Sequence, residues 1–108
     1  MATPTSHLAV SNTGQAVQSI HPGPAQVIAT TAASAVNAVA FAPGTTVLRI
    51  CASVAIHYRV GKGTPVAVAA TDSLLPAGAI EYINICSGEA IAVVADGSSG
   101  NTFVTEGN

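Results

Sequence analysis

Charge is what this chain has least of. Only 7% of its 108 residues are Asp, Glu, Lys or Arg, against ~25% in an ordinary soluble protein. Residues 2–48 carry none, and the first charged side chain is Arg49. Three basic residues and a formal net charge of −2 argue against nucleic acid as a partner, since phosphates demand clustered Lys and Arg. There is no Trp, and two Tyr with two Phe build no aromatic platform for sugars or unpaired bases. Cys51 and Cys86 are too few and too far apart for a disulfide framework or a zinc site. Two small half-buried thiols are the expected use, with a single bridge between neighbouring strands left open. No basic segment precedes an apolar core at the start, so a secretion signal is not expected. The uncharged run "AQVIATTAASAVNAVAFAPGTTVL" is diluted by Thr, Ser, Asn, Gln, Pro and Gly, which argues against a spanning helix and a membrane partner.

What fills the chain instead is small and apolar, with a mean hydropathy of +0.53. A free monomer normally keeps itself soluble with a mixed charged surface. A disordered tail is rich in charge and poor in Val and Ile, and this uncharged half is neither. Much of it is therefore expected to lie against something, either another copy or a partner.

Residues 1–15, with Pro4 and Gly14 and little periodicity, read as an extended arm ahead of a domain at 16–108. "AVQSI" and "AQVIAT" follow, separated at 21–24 by "HPGP", which reads as a turn or extended corner. Residues 31–41 are ambiguous: their alanines permit a helix, and their β-branched neighbours favour a strand. The strongest pattern is "VLRICASVAIHYRV" at 47–60. Leu48, Ile50, Ala52, Val54, Ile56, Tyr58 and Val60 share one parity, and Arg49, Cys51, His57 and Arg59 the other. Such alternation marks a strand with one face in a core. Its length exceeds the usual ~5–6 residues, so a bulge or turn is expected near Ala52–Ser53. "GKGTP" reads as a turn and "VAVAA", 66–70, as a short strand. "AIEYINIC", 79–86, reads as a strand joined through an "SGE" turn to a partner, "AIAVVA", 90–95; "DGSSGN" then precedes a last strand, "TFVTE". The pattern predicts an all-β fold: a small antiparallel β-sandwich, jelly-roll-like or immunoglobulin-like, of seven or eight strands.

Between two of these strands lies "DSLLPAGAIEY", where two leucines occupy a place that loops usually give to polar residues. Leu74 and Leu75 are expected to fold inward and plug one end of the sandwich, with Pro76 and Gly78 fixing the reversal. The alternative is that they protrude toward a neighbouring subunit.

Catalysis needs a nucleophile, base or metal held in geometry. His7, His21 and His57 form no ligand pattern, and Asp72, Glu81, Glu89, Asp96 and Glu106 all sit near expected turns or strand ends, where solubility and edge protection explain them. Arg49, His57 and Arg59 share the outward parity of 47–60 and read as a solvated or subunit-facing polar face, with an anion site as the sharper alternative. No nucleophile elbow or phosphate loop is present. Neither an enzyme nor a cofactor nor a metal is expected.

Residues 46–106 nevertheless hold an ordered set of motifs: "VLRI", "YRVG", "TPVAVAATDSLLPAGAIEYI", "GEAIAVVA" and "FVTE". In that order they resemble small virion proteins of tailed bacteriophages. The resemblance implies a non-enzymatic capsid decoration or cement protein, assembled in the host cytoplasm. Its partner would be the major capsid protein or another virion protein, and it would act as a small homo-oligomer. Arg49, His57, Arg59, Leu74 and Leu75 are the candidate interface. A head–tail adaptor, tail or fibre-base component is the alternative within that class, and a host receptor or glycan-binding module the alternative outside it.

Overall fold

The computed structural model of the chain describes residues 8–10, 16–18 and 21–108. Ten strands run in the order β1 (Leu8–Val10), β2 (Ala16–Gln18), β3 (Pro22–Thr30), β4 (Ala35–Val36), β5 (Val47–Ala52), β6 (Ile56–Lys62), β7 (Ser73–Leu75), β8 (Ile80–Asn84), β9 (Glu89–Ala95) and β10 (Gly100–Gly107). No helix occurs among the described residues, so nothing there is a helix long and apolar enough to cross a membrane. Of the expected arm, only β1 is described, paired antiparallel with β2 in a sheet of their own; residues 1–7 and 11–15 lie outside the described residues.

The other eight strands form two four-stranded sheets, ordered β3-β10-β5-β8 and β4-β9-β6-β7. Their pairing is nested. β3 pairs with β10, β4 with β9, β5 with β8 and β6 with β7, all antiparallel. The chain is thus one long hairpin folded over on itself, and β10·β5 and β9·β6 close the two sheets. That is the strand order of a jelly roll, which decides between the two sandwich types expected from the sequence.

The inner faces meet in one core: Ile28, Leu48, Ile50, Ala52 and Val104 from the first sheet, Ile56, Leu75, Ile91 and Val93 from the second. The alternation over 47–60 is real, but its interruption is larger than a bulge. At 53–55 the chain leaves one sheet and enters the other, and inward parity is kept because both strands face the same core. The crossing is tight. Ser53 N–H donates to the Asn101 carbonyl at 2.9 Å, and a β-carbon on Gly100 would stand 2.6 Å from Ser53 Oγ and 2.8 Å from Val54. Only glycine fits there.

Two expected elements differ. Residues 79–86 and 90–95 are not a hairpin, since β8 and β9 lie in different sheets. Residues 66–70 form no strand but part of a strap, 63–72, at the tip of the folded hairpin. Ala67 of the strap packs against Ala92 and Val94 on the outer face of β9, and its N–H is held by Ser34 Oγ at 2.9 Å. β9 is therefore buried on both faces, which is why it reads as a continuous apolar run. Residues 31–41 hold only the two-residue β4.

All four edges of the two four-stranded sheets are guarded. β4 and β7 are two and three residues long. β3 starts with Pro22 and Pro24, and its Gln26 amide clasps the backbone of Val39, donating at 2.9 Å and accepting at 3.2 Å. On β8, Glu81 has inward parity, opposite Ile50. Its charge is close enough to add to the burial that raises the Tyr58 pKa, against the hydrogen bond from Ser73. Short edges, prolines and an inward charge all oppose pairing with another strand.

Candidate functional site

The outer face of the first sheet is where the lack of charge becomes a surface. Register aligns Val27 of β3 with Phe103 of β10, Phe103 with Cys51 of β5, and Cys51 with Ile80 of β8. One apolar row thus crosses all four strands. Val27, Phe103 and Ile80 are 55%, 44% and 48% exposed, and Cys51 is half-buried. The adjoining row is Ala25, Thr105, Arg49 and Tyr82. Arg49 is the sole charge on this face, and among the described residues it makes no ion pair. The signal for this row was present in the sequence as outward-parity Val, Phe and Ile. Finding it required the register of four strands distant in sequence.

Of the expected interface residues, the structure puts Arg49 on this face and the rest elsewhere. His57, Arg59 and Leu74 lie on the outward parity of the second sheet, so the trio Arg49, His57 and Arg59 is divided between the two faces. Leu74 and Leu75 also part company. Leu75 is 2% exposed and belongs to the core, so it is no interface residue, while Leu74 is 55% exposed.

His57 has outward parity yet is only 8% exposed. Its Nδ1 lies 3.0 Å from the Asp72 carbonyl oxygen and its Nε2 2.6 Å from Asp96 Oδ1. Arg59 grips Asp72 Oδ1 through Nε and Nη2 at 3.0 and 2.8 Å, and Asp72 Oδ2 accepts from Val68 N–H at 2.6 Å. That backbone bond, with Arg59 second, holds the Asp72 carboxyl below its ordinary pKa. The Asp72 carbonyl, then Asp96, raises the His57 pKa against its burial. The quartet looks like catalytic machinery, but both nitrogens of the ring face acceptors. A ring so engaged has no lone pair with which to act as a base. Its visible work is to fasten the end of the strap to β6 and to the β9–β10 loop.

Glu106 was missed by sequence reasoning as anything but a solubilising charge. It is 5% exposed, and its Oε1 accepts from Thr45 Oγ1 at 2.6 Å and from Ala42 N–H at 2.8 Å, fixing the turn before β5. Removing it as Glu106→Ala strands both donors and should lower unfolding free energy by about 2 kcal/mol. Glu106→Gln, which keeps an acceptor, should lose less; urea midpoints of the two variants test this. The groove beside it, about 290 Å³ and lined in part by His21, Pro22 and Thr45, brings in no second acidic side chain.

Among the described residues, no three His, Cys, Asp or Glu side chains converge as metal ligands, and Cys51 and Cys86 are free. Searches against protein-family models, curated proteins and solved structures find no match to this chain.

Proposed function

We propose that this protein is a non-enzymatic structural component of a phage virion that decorates or cements the capsid lattice. The observation that carries this is the uncharged outer face of the first sheet, with its in-register apolar row from Val27 to Ile80 and the lone cation Arg49 beside it. The motif order in residues 46–106 supplies the virion context, and jelly rolls serve as capsid domains among other uses, which is analogy of fold alone. The guarded edges disfavour strand addition, so contact is made by the face.

The charge on the face favours one kind of partner. It carries a cation and no carboxylate, so stacking two copies face to face would add two arginines to one dry interface with nothing to pair them. A different protein, presenting an apolar strip with a carboxylate opposite Arg49, fits better. Four strands ~4.8 Å apart and about six residues long make a face of ~400 Å². Only part of that face is apolar, so its burial is worth at most ~10 kcal/mol gross, against an association cost of about 4–15 kcal/mol. One copy alone binds weakly, and repetition over a lattice is what makes such a contact useful.

The test is the copy number per purified particle, by quantitative mass spectrometry against the major capsid protein, together with particle rupture temperature with and without the protein. Hundreds of copies and a higher rupture temperature are expected. About a dozen or fewer copies would move the protein to the neck or tail, and none would remove the virion reading.

A further inference from the structure

We propose that His57 is a protonated latch that keeps strap 63–72 closed over the outer face of the second sheet, and that raising the pH releases it. The argument is geometric. The ring lies between two oxygens that can only accept: a backbone carbonyl, Asp72 O, at 3.0 Å, and a carboxylate, Asp96 Oδ1, at 2.6 Å. Both contacts are hydrogen bonds only if both ring nitrogens carry protons, so the closed state contains an imidazolium. Losing either proton turns one bond into a lone pair facing an oxygen.

The neighbours are consistent with a cation. The charged groups about the ring are Asp72 from the strap, Asp96 from the β9–β10 loop and Arg59 from β6. On the flanking strands β7 and β9, the residues paired with His57 are Leu74 and Val94, neither of which titrates. With His57 charged, two cations balance two carboxylates; once it is neutral, the cluster carries one uncompensated negative charge beside the strap.

What the latch holds is separable from the core. Inward residues of β6 and β9 belong to the main cluster, whereas Ala67, Ala92 and Val94 form a small cluster of their own. The strap is otherwise anchored by Ser34 to Ala67 N–H and by Arg59 of β6 to the Asp72 carboxylate, while the bond from Val68 N–H to Asp72 lies within the strap itself. Its opening would uncover Ala92 and Val94 without disturbing Ile91 or Val93. The pKa direction sets the window: a His raised by folding stabilises the closed state fully below about 6.5, and that stabilisation fades as pH rises through the folded value.

The experiment uses the full chain. Nitrogen-15 NMR of the His57 ring across pH 5–9 reads its protonation, and amide exchange corrected for intrinsic rate reads the strap at Ala67, whose N–H bonds across to Ser34. Two protonated ring nitrogens at pH 6.5 are expected, followed by a loss of at least ten-fold in strap protection through the titration, with β9 amides changing less. In Asp96→Asn, whose half-exposed site tolerates the change, both the ring titration and strap release should shift to lower pH. A neutral ring at pH 6.5, strap protection equal on both sides of the titration, or an unshifted midpoint in Asp96→Asn would each overturn the latch. None of these readouts involves a partner, so the result is independent of the capsid reading.

Discussion

Phe103→Asp should leave the sandwich folded and strip the protein from its partner. The side chain stands on the outer face, 44% exposed, with core residues Thr102 and Val104 on either side pointing the other way. Replacing it changes strand propensity by at most ~1 kcal/mol. At the proposed interface the same change would remove the central aromatic anchor and bury a carboxylate. Central anchors are commonly worth 2 kcal/mol or more on truncation, which is about thirty-fold in affinity. Co-sedimentation with particles should therefore fall at least thirty-fold in apparent affinity while the melting temperature stays nearly constant. Arg49→Glu should weaken binding as well, because the carboxylate proposed opposite it would then meet its like. Normal occupancy of particles by folded Phe103→Asp would sink the assignment of this face.

The second large effect separates two adjacent leucines. Leu75→Ser removes a side chain that is 2% exposed and packed with Ile56 and Ile91 in the core. Leu-to-Ala changes at such sites cost about 2–5 kcal/mol, and the added hydroxyl has to be desolvated, so a loss of about 4 kcal/mol is expected. Leu74→Ser, one residue away on the outer face, should stay within about 0.5 kcal/mol. Chemical denaturation of the two single variants distinguishes them. Equal losses would mean that both leucines plug the core, as the sequence suggested before β7 was seen to be a strand.

β7 shows why that suggestion held for Leu75 and failed for Leu74. Pro76 and Gly78 marked a reversal, and a loop carrying two leucines invites an inward plug. Ser73–Leu75 instead pairs with β6, and consecutive residues of a strand must point to opposite faces. The 47–60 alternation was legible for the opposite reason. Parity survives the change of sheet at 53–55, so the core residues could be named; the break expected near Ala52–Ser53 falls where β5 ends, but the change of sheet was not legible. β9 shows a limit of pattern reading. Its apolar residues occupy both parities because the strap covers one face and the core the other. No local pattern announces a cover supplied from residues 63–72. The same holds for His57, whose outward parity was read correctly. Its burial is set by Asp72 and Asp96, brought in by two separate loops. The row from Val27 to Ile80 is legible only once β10 is known to lie between β3 and β5.

That position of β10 governs how the protein can be made. Among the described residues, the first strand of the sandwich finds its only sheet neighbour in the last, and β10 is also the sole link between β3 and the β5–β8 pair. While residues 100–107 are still inside the ribosome, β3 has no edge to join and the first sheet cannot close. Pairings so remote in sequence fold slowly, and a waiting chain with few charges is prone to stick to its neighbours. Synthesis at low temperature, or with a holding chaperone, should therefore raise the soluble yield more than any substitution on the finished surface.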